Sequence, residues 1–270
     1  YTFKMTPFIS PLLSNRETTQ FLIEGIVIIL FSGIFGSFFN MLIYRLPRDL
    51  PLAFDRSKCP TCKNNLTWID LFPVFSFLFL LGKCRQCKAK IPFRYFLVEL
   101  ITICASLVLW FIFGPTWLFL KFLLFTYGMI IIFFTDIETY TVPDSVLVFF
   151  LVIGCSNLYL DRDFKAALLG TLIGFGTFYF IQRIGKFFYK KDAFGSGDVK
   201  LGGAIGFVWG PVLTSMTVYL SFLIGGFFGI LLIVSKKKTM KDIIPFGPSI
   251  IIAFFLSYMF KAEILSYFFS

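Results

Sequence analysis

The stretch Gly195-Ser196-Gly197-Asp198-Val199-Lys200 sets a carboxylate among small residues at the edge of an apolar run. An ionisable side chain beside hydrocarbon costs a few kcal/mol or more, so an acid kept there calls for a function or a partner. A lone Asp198 would read as the cap of the helix that follows. Gly195 and Gly197, with Gly202 and Gly203 shortly after, weigh the other way, because they let a second backbone approach the acid closely. A second acidic cluster, Thr135-Asp136-Ile137-Glu138 followed by Val142-Pro143-Asp144, closes another apolar run. Two carboxylates a few ångströms apart cannot both ionise, so one keeps a proton while the other acts as base on a water. Aspartic proteases hydrolyse peptides in this way. The chain contains no histidine. That excludes Ser-His-Asp and Cys-His catalysis and zinc-peptidase sites built on His, and leaves acid and base work mainly to carboxylates.

Among the acids, Asp136 closes a spanning segment without a basic neighbour and is the expected partner of Asp198. Asp144 follows Pro143 and precedes an apolar run, the pattern of a helix N-cap, so it is assigned a capping or supporting place, together with Gly195, Gly197 and Lys200. Glu138 reads as a solvated loop charge. Paired membrane carboxylates also serve proton relays and cation carriers, so transport is the competing function class. No repeat between the two halves of the chain supports it.

Four of the six cysteines form two pairs, Cys59-Pro60-Thr61-Cys62 and Cys84-Arg85-Gln86-Cys87, with 21 residues between them. Two Cys-x-x-Cys knuckles at this separation predict one tetrahedral zinc ion held by Cys59, Cys62, Cys84 and Cys87; redox pairs or a disulfide are the alternative. Four protein ligands leave no open position, so such an ion folds its segment and does not catalyse.

These groups need a scaffold, and composition says which. Hydrophobic residues make up 57% of the chain, Phe alone 40 positions, and charged residues 15%, which predicts an all-α polytopic membrane protein in a lipid bilayer. Apolar runs predict about eight transmembrane segments: 21–46, 95–113, 117–134, 144–160, 164–188, a short one to Trp209, one ending at Val234, and one from Pro245 to about Phe260. Segments 45–95, 183–200 and 236–241 hold 19 of the 25 Lys and Arg residues, which puts them in the cytoplasm and both Asp136 and Asp198 at the inner membrane face. The net charge of +10 is explained by these loops and requires no nucleic acid. The expected organisation is an extracytoplasmic segment 1–20 without a removable signal peptide, a first helix 21–46, a cytoplasmic zinc-binding insertion 47–94, and a multi-helix protease domain 95–270. The apolar stretch from Trp68 to Leu81 is too short and Pro-broken to span and is expected in the interface.

From about residue 33 to 250 the chain resembles bacterial type IV prepilin peptidases. Gly36-Ser37-Phe38-Phe39-Asn40 with Tyr44-Arg45-Leu46-Pro47 resembles the family's opening signature, and the Cys knuckles its cytoplasmic zinc insertion. Asp136 with Val142-Pro143-Asp144 and the Gly195–Leu201 stretch resemble the two aspartate motifs, and Pro245-Phe246-Gly247-Pro248 a late stretch of the family. The resemblance implies a Gly-x-Gly-Asp membrane aspartyl protease with Asp136 and Asp198 as its catalytic pair, distantly akin to presenilin and signal peptide peptidase. It implies prepilin or pseudopilin substrates, cut after a Gly that ends a short basic leader. It also implies S-adenosylmethionine-dependent methylation of the new N-terminus, commonly Phe, for which Asn40, Arg45 and Glu99 are the candidate residues. Phe96 and Val142 depart from the residues common in the family, Pro and Leu, and neither touches the expected pair.

Overall fold

The computed structural model describes residues 15–52, 59, 61–65, 67, 73–160, 163–189, 195–236 and 244–269. Helices dominate: α1 (Asn15–Arg45), α2 (Phe75–Phe79), α3 (Phe93–Phe113), α4 (Trp117–Thr139), α5 (Asp144–Leu160), α6 (Phe164–Tyr189), α7 (Ser196–Val234) and α8 (Gly247–Phe269). A 3-10 turn at Leu46–Arg48 follows α1, and the described residues contain no β-strand beyond one isolated bridge between Lys83 and Lys90. Five of these helices are long and apolar enough to cross a membrane, and the Asp144–Ser156 and Gly247–Met259 stretches are shorter apolar helices. The chain is therefore a multi-pass membrane protein. Most of the segment expected at the N-terminus, the outer turn at Asp161-Arg162, the lysines at 190–191 and 237–238, and Trp68–Phe72 lie outside the described residues.

Helix ends fall where proline, glycine or left-handed backbone stops the ladder. Pro92 precedes α3 and Gly114 ends it at φ 58°. The third helix, expected to stop at Phe134, runs on to Thr139 because nothing before Tyr140 breaks it; Tyr140 takes φ 56° and donates its N–H to Asp136 O at 2.9 Å. Asp136 thus stands inside the last turn of α4 and not beyond its end.

The described residues form two compact units, one ending at Ile130 and one starting at Ile131. In the first, α1 and α3 pack together. Phe113 stacks on Phe122 at 4.8 Å between ring centres, Phe39 meets Tyr127 edge-on at 4.9 Å, and the Ser106 and Tyr127 hydroxyls bond at 3.0 Å.

The second unit is built on α7, against which α5, α6 and α8 all pack. The expected sixth and seventh segments are its two arms. Gly210, with φ 76° and ψ −179°, breaks the helix just before Pro211. A side chain at Gly174 of α6 would collide with Gly202 O and would also lie 3.1 Å from Thr214 Cγ2. Residues 202 and 214 would be about 18 Å apart along a straight helix, so α7 folds back on itself at Gly210. Gly170 and Gly174 of α6 meet Gly206 and Gly202 of α7 backbone to backbone. Small residues four apart on both partners allow this close packing of membrane helices.

Candidate active site

Asp136 is buried, at 4% exposure, in the last turn of α4. Its Oδ2 accepts the Gly247 N–H at 2.9 Å, from the residue that opens α8 after Pro245-Phe246. A Cβ on Gly247 would stand 2.7 Å from that same Oδ2, so only glycine lets the backbone donor come this near. Asp198 is buried at 6% exposure in the first turn of α7. Its Oδ2 accepts the Gly195 N–H at 3.3 Å, while Oδ1 is buried without a hydrogen-bond partner among the described residues. The two carboxylates lie within electrostatic reach of each other. Each acid is therefore steadied through one oxygen by a backbone N–H, and the second oxygen of Asp198 has no partner among the described residues. A buried carboxylate oxygen without a donor is costly, and a water or a substrate group would relieve it.

The remaining second-unit residues expected at this site surround the pair. Asp144 opens α5, yet its carboxylate turns to Lys200 Nζ at 2.7 Å, with both groups largely in the open. The ion pair joins the start of α5 to α7 two residues beyond Asp198. Beside it, a Cβ on Gly197 would stand 2.8 Å from Val142 Cβ, so the loop between α4 and α5 lies directly on the start of α7. The role of Gly247 was hidden at the level of sequence, because a backbone N–H leaves no side-chain signature. The one clue was the Pro-Phe-Gly-Pro stretch around it.

In the first unit the Sγ atoms of Cys59, Cys62, Cys84 and Cys87 lie within 4.8 Å of one another and form a group able to hold a metal ion. The Sγ atoms of Cys59 and Cys87 are 3.8 Å apart. A tetrahedral thiolate site with bonds of ~2.3 Å has edges of about 3.8 Å. The two knuckles repeat one design. Lys63 and Lys88 both adopt φ 57° and donate N–H to Cys59 O at 2.9 Å and Cys84 O at 3.0 Å. The N–H groups of Cys62 and Thr61 point at the Cys59 sulfur and hold its thiol down at about 6, which favours the thiolate that metals bind. The Asn64 side-chain amide donates to Gln86 Oε1 across the two knuckles.

Asn40, Arg45 and Glu99 also belong to this unit. Asn40 and Glu99 both lie on the seam between α1 and α3, where Asn40 Nδ2 donates to Tyr95 O at 3.0 Å and Glu99 Oε2 accepts the Val74 N–H at 2.8 Å. Arg45 points elsewhere and donates to Pro51 O at 3.0 Å.

Comparison with known proteins accords with these features. The bacterial peptidase A24 N-terminal domain matches residues 30–113, and the type IV leader peptidase family matches residues 123–230, which include both buried aspartates. The chain is similar to proteins named prepilin leader peptidase/N-methyltransferase. With that of Bacillus subtilis it shares 32% identity over 90% of this chain and 96% of the relative. With that of Vibrio cholerae it shares 33%, over 86% and 96%, and with that of Aeromonas salmonicida 31%, over 90% and 93%. No solved structure matches the chain. The matches cover nearly the whole chain in one order, and on them this protein belongs to the type IV leader peptidase family.

Proposed function

We propose that this protein is a membrane-embedded aspartyl endopeptidase that removes the short basic leader from type IV prepilins or pseudopilins, cutting after Gly at the cytoplasmic face of the inner membrane. The observation that carries the reading is the pair of buried carboxylates, Asp136 and Asp198, within electrostatic reach of each other, with one Asp198 oxygen unpartnered among the described residues. In this reaction the ionised member of the pair takes a proton from water as the oxygen attacks the scissile carbonyl. The protonated member donates to the carbonyl oxygen, and the pair titrates as a unit. Asp144, Lys200, Gly195 and Gly197 support the pair: the ion pair ties α5 to α7, and the glycine N–H and the absent side chains shape the approach of an extended peptide. The cytoplasmic orientation follows from the basic loops.

The cysteine group holds one zinc ion, bound by four thiolates and structural in role. Methylation of the new N-terminus with S-adenosylmethionine is the second activity; the names of the relatives support it.

The test is mass spectrometry of a prepilin co-expressed with the wild type or with Asp136→Asn, Asp198→Asn or Asp144→Asn. Removal of the leader by the wild type and by Asp144→Asn, but by neither of the other two, is the expected pattern. Cleavage by all four would sink the peptidase assignment and bring the cation-carrier reading forward.

A further inference from the structure

Among the described residues, the seam between α1 and α3 holds a buried carboxylate without a counter-charge and a buried amide oxygen without a donor. Glu99 is buried at 9% exposure, and its carboxylate is met by two neutral donors, the Val74 N–H at 2.8 Å and the Ser37 hydroxyl. Among the described residues no cation faces it. Asn40 is buried at 2% exposure. Its Nδ2 donates to two carbonyl oxygens, Tyr95 O at 3.0 Å and Gly36 O at 3.4 Å, and since both partners only accept, the orientation of the amide is fixed. Asn40 Oδ1 is then a true acceptor, and it is buried without a partner among the described residues. Register puts the two groups together. Gly36 packs directly on Glu99, since a Cβ there would stand 2.8 Å from Glu99 Cα. Asn40 is one turn beyond Gly36, against Tyr95, which is one turn before Glu99. The two residues are therefore offset by about one helical turn, ~5.4 Å, along one antiparallel seam.

A buried carboxylate without a counter-charge and a buried amide oxygen without a donor are matched by a cation that only donates. A primary ammonium has three N–H donors and no acceptor, and its charge offsets the cost of burying Glu99. Calcium would require six to eight oxygens, and fewer converge here. We propose that Asn40 and Glu99 form a binding site for a primary ammonium, the freed α-amino group of the cleaved pilin. The choice of the pilin as source rests on the peptidase and methylation reading above; the ammonium chemistry does not. Before methyl transfer the ammonium passes a proton to the Glu99 carboxylate. The resulting amine's lone pair then forms the N–CH3 bond as the methyl–sulfur bond of a sulfonium donor breaks, its electrons staying on sulfur.

The site is tested by binding, in the absence of any methyl donor, of a decapeptide that begins with Phe and continues with apolar residues. The peptide is labelled at its C-terminus and is compared with its N-acetylated form, using full-length protein in detergent. The wild type is expected to bind the free-amine form at least tenfold tighter. Glu99→Gln, whose amide oxygen can still accept the Val74 N–H, is expected to lose that preference, and Glu99→Asp to keep part of it. Leader removal by Glu99→Gln is read on the same samples. Equal binding of the two peptides by the wild type, or an undiminished preference in Glu99→Gln, overturns the site. Loss of cleavage together with amine preference would mark Glu99 as a structural residue and overturn it as well. A parallel arm compares S-adenosylmethionine with its deaminated analogue. If only that discrimination falls in Glu99→Gln, the ammonium comes from the methyl donor and the assignment to pilin fails. Leader cleavage by Asp136→Asn would defeat the peptidase reading without touching this result.

Discussion

Replacing Gly247 by Ala isolates the contact that positions one of the two aspartates. The added methyl carbon would stand 2.7 Å from Asp136 Oδ2 and 3.2 Å from its Cγ. Comfortable contacts begin near 3.4 Å, so the carboxylate must withdraw by about 0.7 Å or the start of α8 must rise by as much. Either movement stretches the Gly247 N–H to Oδ2 bond from 2.9 Å past the range of a useful hydrogen bond. A hydrogen bond to a charged group contributes about 1.5–3 kcal/mol. If that interaction is lost from the reacting arrangement, kcat/KM for leader removal should fall roughly ten- to a hundredfold. The assay is cleavage of a purified prepilin by protein in detergent, followed over time by mass spectrometry, with metal content and thermal midpoint measured on the same samples. Gly176→Ala is the matched control, because a Cβ there meets nothing within 4 Å. If Gly247→Ala cuts within twofold of the wild type, the N–H of Gly247 does not position Asp136 for the reaction and the reasoning is refuted.

Three further outcomes follow from the same geometry. The Asp144–Lys200 pair is largely exposed, so its loss should cost stability only ~0–1 kcal/mol; Lys200→Asp should slow cleavage severalfold and the exchanged double variant Asp144→Lys with Lys200→Asp should restore it, measured with the same prepilin. Gly206→Ala would thrust a methyl into the backbone of Gly170 with no side chain to yield, and should lower stability by at least 1–3 kcal/mol, read as a reduced thermal midpoint. Metal analysis should find one zinc per chain, falling to well under half in Cys84→Ser, because three thiolates leave the ion exposed to competing ligands.

Proline, glycine and apolar length made the helices legible in the sequence, and the spacing of four cysteines made the metal group legible. The end of α4 was misjudged by a turn because Thr135 through Thr139 contain no residue that stops a helix. What the sequence could not carry was pairing at long range. Lys200 and Asp144 are 56 residues apart, and Gly247 and Asp136 are 111 apart, so neither contact has a local pattern. Asp198 stood out because an acid among glycines is unusual at the edge of an apolar run. Gly247 did not, because what it contributes is a main-chain donor that every residue but proline possesses. Glu99 and Asn40 were candidates through the resemblance alone, and the unmet oxygen of Asn40 appears only once Tyr95 and Gly36 are seen to occupy its nitrogen.

The fold at Gly210 also acts as a ruler. From Asp198 to Trp209 the first arm of α7 has 12 residues, a rise of about 18 Å. The hydrocarbon of a typical bilayer is ~30 Å thick. Were Gly210-Pro211 to stand at the far boundary, Asp198 would fall about 12 Å short of the near one. Either water follows the acid down into the membrane or the lipid around α7 is drawn thin to meet it, at a cost of fractions of a kcal/mol for each ångström. The length of the surrounding acyl chains then becomes a determinant of hydrolysis, set by a single glycine that touches neither aspartate.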